Sequence, residues 1–136
     1  MNKQAIIKYI QDNEGLMLKP YKCSSGKLTI GYGRNLDDVG ISKSEACMLL
    51  SNDLCRAIAQ VQNKIPFFEE LSDNRQMVLI DLCFNLGING LLGFKNMLTA
   101  LESGNYQKAA IELMNSRYAT QVGIRAEKNR DYLLNG

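Results

Sequence analysis

The chain contains no histidine and no tryptophan, and only 2 of its 136 residues are proline. Without histidine, no Ser-His or Cys-His pair can activate a nucleophile, which excludes the common acyl-transfer mechanisms. Because there is also no Cys-x-x-Cys, the usual zinc-ligand spacings cannot be assembled, and a structural metal is not expected. Carboxylate chemistry remains the main option for an enzyme of this composition.

Long apolar runs are missing as well. No stretch approaches the roughly 18 apolar residues of a membrane span. The N-terminus, Met1-Asn2-Lys3-Gln4, begins a polar-faced helix rather than a signal peptide. We therefore expect a protein that stays in a cytoplasm, with free thiols at its four cysteine positions, 23, 47, 55 and 83.

Length and composition indicate one globular domain. With 136 residues, 46% hydrophobic and 22% charged, the chain can bury a core and lies far from the disordered regime. The formal net charge of +2 is too small to indicate binding to nucleic acid. No internal repeat or flexible linker divides the sequence.

The first third of the chain predicts a helix followed by a small sheet. Apolar residues recur at helical spacing behind Asn2, a potential N-cap, and Gly15 can end this helix in a left-handed conformation. A hairpin or three-stranded sheet is expected over residues 18–36, with Ser24-Ser25-Gly26 as its turn. The alternation of Leu28, Ile30 and Tyr32 predicts the half-buried face of a strand.

The remainder predicts helices. Ser42 and Glu45 form a capping-box signature for a helix of about 22 residues that ends before Pro66. Periodic apolar residues continue over 77–84, 94–101, 109–114 and 124–134, and Gly104-Asn105 supplies a stop and the next cap. Cys47, Cys55 and Cys83 lie on apolar helical faces and are predicted to be core residues.

Three separated segments form a recognisable series. The first comprises Glu14-Gly15, Lys19, Tyr21, Cys23, Gly26, Thr29, Gly31 and Gly33. The second comprises Phe84-Asn85-Leu86-Gly87 and Gly93-Phe94, and the third comprises Ser116-Arg117-Tyr118 and Gln121-Val122-Gly123-Ile124-Arg125-Ala126. In this order and spacing the chain resembles the phage-type lysozymes, glycoside hydrolase family 24, over nearly its whole length.

The resemblance implies an α+β, mainly α fold with two lobes in a single catalytic domain, residues 1–136. A small mixed lobe would cover about 13–40 and a connecting helix about 42–65. A helical lobe would cover about 66–136 together with the N-terminal helix. The implied activity is that of an N-acetylmuramidase, which hydrolyses the β-1,4 bond between N-acetylmuramic acid and N-acetylglucosamine in peptidoglycan without a cofactor.

By resemblance, Glu14 is the general acid that protonates the glycosidic oxygen as the bond breaks. Thr29 matches the family residue that helps to hold a water on the opposite face of the sugar. Cys23 stands where the family usually carries an aspartate, and is predicted to position or activate that water. Lys19, Lys22, Lys27 and Arg34 surround it in sequence, and their charge favours a thiolate.

Each role has a simpler explanation. Glu14 is otherwise an exposed glutamate near a helix end, and the β propensity of threonine alone would explain Thr29. Cys23 is otherwise an inert hairpin thiol. If Cys23 does take part in the reaction, the alternative to a water-positioning role is that of a covalent nucleophile. Arg125 matches a family arginine that would orient the acid across a cleft, or else is a solvated helix residue. Phe84 matches a substrate-contact position, although aromatic residues at helical spacing are more often core.

The resemblance also implies a biological setting. A monomeric phage or prophage endolysin would wait in the host cytoplasm until a holin gives it access to the wall, with no stable membrane insertion. The anomeric outcome would be inversion, for which acid and water-activating group stand about 6.5–9.5 Å apart. The alternatives are a lytic transglycosylase that uses Glu14 alone, a non-catalytic peptidoglycan-binding protein, and a toxin or tail-associated lysozyme.

Overall fold

A computed structural model describes all residues, 1–136, with seven α-helices and one three-stranded sheet. The elements in chain order are α1 (Lys3–Glu14), β1 (Met17–Lys22), β2 (Leu28–Gly31), β3 (Arg34–Asn35), α2 (Lys43–Lys64), α3 (Asp73–Leu92), α4 (Lys95–Glu102), α5 (Tyr106–Met114), α6 (Arg117–Val122) and α7 (Ile124–Asn135). A short 3-10 turn, Phe68–Glu70, precedes α3. The predicted α+β, mainly α class is confirmed.

The chain divides into two compact units, Met1–Met48 and Leu49–Gly136. The first unit contains α1, the sheet and the start of α2, and the second contains the remaining helices. The N-terminal helix thus groups with the sheet in this division. The lobe boundaries expected from the sequence stay a prediction.

Helix α1 begins at a side-chain cap and ends at a glycine. Asn2 Oδ1 accepts a hydrogen bond from the Ala5 N–H at 3.1 Å, as predicted for an N-cap. The Gly15 N–H donates to the Gln11 carbonyl at 3.0 Å, and Gly15 has φ 71° and ψ 164°. Its φ is positive, as expected, but its ψ is extended rather than left-handed helical. The chain therefore leaves Glu14, the last helical residue, directly in an extended direction.

The sheet has the order β1-β2-β3, with both pairs antiparallel. The predicted turn is confirmed: the Cys23 N–H donates to the Lys27 carbonyl at 2.9 Å, and the Gly26 N–H donates to the Cys23 carbonyl at 2.8 Å. Gly26 has φ +80°, which a glycine adopts without strain. The turn brings residues 23 and 27 opposite each other and starts the pairing of β1 with β2.

The prediction for the buried face of β2 was wrong. Thr29 is the buried residue, at 4% exposure, whereas Leu28 and Tyr32 are 37% and 43% exposed. Thr29 lies opposite Tyr21 on β1 and opposite Asn35 on β3, in the middle of the sheet. Because side chains alternate across a strand, its burial puts Leu28 on the other face. The apolar alternation indicated a strand correctly but assigned its faces the wrong way round.

Helix α2 confirms the capping box. The Glu45 N–H donates to Ser42 Oγ at 3.1 Å, and the Ser42 N–H donates back to Glu45 Oε1 at 3.0 Å. Glu45 Oε1 also accepts from Arg34 at 2.8 Å, which links β3 to this helix start. Together the guanidinium and the Ser42 N–H lower the pKa of Glu45 to about 2. The helix is 22 residues long, as predicted.

The second unit holds the main hydrophobic core. Its fully buried side chains are Leu79, Leu82, Leu91, Met97, Leu101, Leu113, Leu133, Val61 and Val78. Cys83 is buried as predicted, but Cys47 and Cys55 are exposed. The reason is that α2 has only two buried residues, Ala57 and Val61, so its apolar stripe packs only toward the C-terminal end.

Helix α3 runs further than predicted, to Leu92, with a break at Gly87, where φ is 76°. No single helix is long and apolar enough to cross a membrane. Helices α3 and α4 meet that length and composition only as a pair, which is bent by 97° and contributes much of the core.

Replacing Leu82, which is fully buried, with alanine should lower the free energy of unfolding by about 2–5 kcal/mol, because it removes apolar contacts and leaves a cavity. Ile111 is 59% exposed, so Ile111→Ala serves as the control and should change it by no more than about 0.5 kcal/mol. Urea unfolding of both variants measures the difference. Equal losses would show that the core does not lie around Leu82.

Candidate active site

The Glu14 carboxylate lies directly against the backbone of Gly33. A Cβ atom at Gly33 would stand 2.7 Å from Glu14 Oε2, closer than real Cβ contacts, and 3.0 Å from its Cδ, so the Glu14 side chain would have to move. Gly33 also has φ +81°, in the region that favours glycine. A glycine at this position therefore leaves the Glu14 carboxylate where it stands at the end of α1, whereas a larger residue would displace it.

The neighbouring Gly31 has a different role. Its φ is +71°, but a Cβ there would have no neighbour within 4 Å. Gly31 is thus required for backbone conformation alone, whereas Gly33 is required for conformation and for space. The glycine pattern seen in the sequence combines these two separate constraints.

Cys23 and Thr29 meet at the turn end of the β1–β2 hairpin. Both the Cys23 N–H and the Thr29 hydroxyl donate to the Lys27 carbonyl, each at 2.9 Å. Cys23 Sγ lies 3.1 Å from Ser25 Oγ. The structure therefore brings the predicted Cys23 and Thr29 into one hydrogen-bonded cluster, and adds Ser25, which the sequence pattern did not single out as a site residue.

The Thr29 hydroxyl has one proton, and that proton is engaged by the Lys27 carbonyl. Toward any further partner the oxygen can act only as an acceptor. Its burial at 4% and its β-branched side chain keep that oxygen in place. Thr29 is therefore a fixed acceptor beside the half-buried thiol of Cys23.

Hydrogen bonding lowers the pKa of Cys23 to about 7. The Ser25 hydroxyl contributes most, followed by the backbone of Lys27 and of Ser25. The direction is the one that the surrounding basic residues suggested, but the cause is different. Lys27 Nζ is paired with Asp38 at 3.2 Å and Arg34 with Glu45 at 2.8 Å, so these two charges are already balanced.

Asp37 and Asp38, which follow β3, support the hairpin. Asp37 Oδ2 accepts from the Leu28 N–H at 2.7 Å, and Asp38 accepts from Lys27 at 3.2 Å and from the Asn35 amide at 2.9 Å. Both carboxylates thus have structural partners at the start of β2 and at β3. No local pattern indicated these contacts, because the pairs lie up to eleven residues apart.

Arg125 belongs to a polar network in the second unit. Its guanidinium makes a two-pronged contact with the Asp81 carboxylate, with Nε donating to Oδ2 at 3.0 Å and an Nη donating to Oδ1. The Asn129 amide donates to the same carboxylate at 2.9 Å and to Tyr118 Oη at 3.1 Å. Burial tends to raise the pKa of Asp81, but these donors outweigh it and the net shift is downward.

This network explains how α7 is held on α3, and it shows Arg125 engaged by a carboxylate within its own unit. The sequence pattern did not indicate a role for Asp81, which lies 44 residues before its partner Arg125. The orientation of Glu14 by Arg125 stays a prediction.

Phe84 is 43% exposed rather than core, and lines a shallow groove of the second unit together with Asp81 and Arg125. Its contact with substrate also stays a prediction.

No group of three or more His, Cys, Asp or Glu side chains is placed so that it could hold a metal ion.

The reactivity of Cys23 toward iodoacetamide should rise with pH around a midpoint of about 7, because the thiolate is the nucleophile and the folded pKa is lowered to about 7. Cys47 and Cys55 are exposed and lie outside the cluster, so their alkylation serves as an internal reference for the reagent. Peptide-resolved mass spectrometry separates the three sites. A Cys23 midpoint at the ordinary thiol value of about 8.5 would contradict the assignment.

Comparison with known proteins identifies relatives of this chain. The chain is 30% identical to a probable T4-type lysozyme of Dictyostelium discoideum, with 85% of each chain aligned. It is 33% identical to an endolysin of Acyrthosiphon pisum secondary endosymbiont phage 1, over 85% of this chain and 80% of that protein. It is also 27% identical to the pre-baseplate central spike protein of Enterobacteria phage T4, over 93% of this chain but 27% of the spike.

The family model described as phage lysozyme matches residues 11–130, which include both the Glu14–Gly33 contact and the Cys23 cluster. Since this match covers most of the chain and two relatives are aligned along most of their own length, the protein belongs to the phage lysozyme family.

Proposed function

We propose that this protein hydrolyses the β-1,4 bond between N-acetylmuramic acid and N-acetylglucosamine by direct attack of water, with Glu14 as general acid and Cys23 as general base. Its family makes it a peptidoglycan-hydrolysing lysozyme. The bond, the residues and the stereochemical course are the proposal. The observation that supports it most is the cluster in which Cys23 has a lowered pKa and a fixed acceptor, Thr29, nearby.

In the proposed reaction, Glu14 donates its proton to the glycosidic oxygen while the bond from that oxygen to the anomeric carbon breaks. A water attacks the anomeric carbon from the opposite face, and the Cys23 thiolate takes one of its protons. The sugar is released with inverted configuration, leaving Glu14 ionised and Cys23 as a thiol. Exchange of protons with solvent restores both groups.

Thr29 fits the remaining requirement of this water. Because its own proton is engaged by the Lys27 carbonyl, Thr29 can accept the second proton of the water in a hydrogen bond. The two protons would then point to Cys23 and Thr29, and a lone pair would face the anomeric carbon. An oxygen able to donate would allow the opposite, unproductive orientation.

We further propose host lysis as the biological role, because one of the relatives is named an endolysin. The setting would be the host cytoplasm, with a holin giving access to the wall and a monomer acting on peptidoglycan. The likeness to a phage spike protein supports a second setting, a lysozyme attached to a tail. Both settings use the same chemistry.

The proposal is tested by the clearing of purified sacculi under reducing conditions. Glu14→Gln should lower the rate by about 10²–10⁴-fold, because the leaving oxygen loses its proton donor. Glu102→Gln, an exposed glutamate at the end of α4, is the matched control and should keep full activity. If the parent binds to the sacculi but leaves them turbid, the protein is a wall-binding protein and not an enzyme.

Cys23→Ser should also lower clearing by about 10²-fold or more, because a serine hydroxyl is a far weaker base than a thiolate. Cys47→Ser, an exposed cysteine outside the cluster, is its control. Mass spectrometry of the parent's products should show one added water per cleavage. Anhydro products, with Cys23→Ser still active, would instead assign a lytic transglycosylase that uses Glu14 alone.

Gly33→Ala should abolish most clearing, since its Cβ would displace the Glu14 carboxylate, from which it would lie 2.7 Å away. Gly31→Ala introduces similar backbone strain with no neighbour within 4 Å, so it should lose stability while retaining much more activity per folded molecule. Thermal unfolding and specific activity are measured on both. Equal specific activities would show that the Glu14–Gly33 contact does not matter for the reaction.

A further inference from the structure

We propose that Ser25 is a positioning residue of this active site, whose hydroxyl donates a hydrogen bond to the Cys23 sulfur and keeps it as a thiolate aimed at the attacking water. The inference rests on the proposed function, because it assigns Ser25 a task only if Cys23 is the base. It concerns a turn residue that would otherwise be explained by turn propensity alone.

The hairpin turn brings the Cys23 and Ser25 side chains close together. Cys23 and Lys27 are joined by a backbone hydrogen bond of 2.9 Å, and the Gly26 N–H closes the turn on the Cys23 carbonyl at 2.8 Å. Ser25 lies within this closed loop, and its Oγ comes to 3.1 Å from Cys23 Sγ. The preceding Ser24 is exposed, and its hydroxyl makes no hydrogen bond to the protein.

Donor chemistry selects Ser25 among the hydroxyls of the cluster. A thiolate is an acceptor only, so it needs a donor, and the proton of Thr29 is already directed at the Lys27 carbonyl. The Ser25 hydroxyl can donate to the sulfur. Thr29 would thus accept a hydrogen bond from the water, and Ser25 would donate a hydrogen bond to the Cys23 thiolate.

Charged side chains offer no better explanation. The basic residues that flank this turn are Lys22 and Lys27, and the Lys27 ammonium is directed to Asp38 at 3.2 Å. Lys22 is not among the groups that shift the pKa of the thiol, and the largest contributions come from the hydroxyl of Ser25 and from the backbone of Lys27 and of Ser25. The lowered pKa of Cys23 therefore has mainly neutral hydrogen-bond donors as its source.

The test compares Ser25→Ala with Ser24→Ala, two adjacent changes of the same size in the same turn. In the full-length protein without substrate, Ser25→Ala should move the midpoint for Cys23 alkylation upward by about one pH unit, the size expected for one hydrogen bond to a charged acceptor. Ser24→Ala should leave the midpoint at its parent value. Ser25→Thr keeps a hydroxyl and should therefore have the same Cys23 midpoint as the parent.

On sacculi, Ser25→Ala should lower kcat by about 3–30-fold with little change in KM, because a positioning residue acts on the reacting group and not on substrate binding. The limb of the pH–rate profile that belongs to Cys23 should move by the same amount as the alkylation midpoint. A purely structural role would instead lower the melting temperature and leave both pH profiles in place.

The outcomes separate this inference from the proposed function. An unchanged alkylation midpoint in Ser25→Ala overturns the role of Ser25, whatever the activity. A shifted midpoint with no clearing by the parent overturns the proposed reaction and leaves the Ser25–Cys23 contact as a property of the hairpin.

A second variant keeps the test decisive if Ser25→Ala does not fold. Ser25→Gly also removes the hydroxyl, and a turn readily accommodates glycine. Its alkylation midpoint should rise by the same amount, about one pH unit. A midpoint equal to that of the parent in this variant would overturn the role of Ser25.

Discussion

The carbonyl of Lys27 is the point on which the first unit's candidate site depends. It accepts one hydrogen bond from the Cys23 N–H, which closes the hairpin turn, and another from the Thr29 hydroxyl, which fixes that side chain as an acceptor. The Lys27 carbonyl oxygen therefore sets both the position of the Cys23 thiol and the role of the Thr29 hydroxyl as a hydrogen-bond acceptor. Because the bond from Cys23 continues the β1–β2 pairing, the geometry of the site follows from the register of the sheet.

Asp81 plays the corresponding part in the second unit. Its carboxylate accepts hydrogen bonds from Arg125, Asn129 and Tyr118, so one side chain of α3 holds residues of α6 and α7. Such a carboxylate is stable in a partly buried position because both oxygens have partners. At the chain end, Arg75 of α3 makes a related contact, donating to the Leu133 carbonyl at 2.9 Å and stacking on the Tyr106 ring.

Local signals in the sequence predicted local structure well. The caps at Asn2 and Ser42 need only residues within one helical turn, and α2 has the predicted length. The family pattern located Cys23 and Thr29, which the fold does bring together. The buried face of β2, the Lys27–Asp38 pair and the Asp81–Arg125 pair depend on which segments come together, and no local pattern carries that information. Helix α6 was missed because six residues are too few for a period to emerge.

The contact between Gly33 and Glu14 has a consequence for how this chain can change. Replacing a glycine by a larger residue is a general route to higher thermal stability, because the larger residue lowers the conformational entropy of the unfolded chain. At Gly33 that route is closed for two reasons, because φ of +81° strains any larger residue and because its Cβ would meet the Glu14 carboxylate. Backbone strain and the space for Glu14 therefore both favour glycine at position 33, so selection for heat resistance and selection for the position of the acid would keep the same residue.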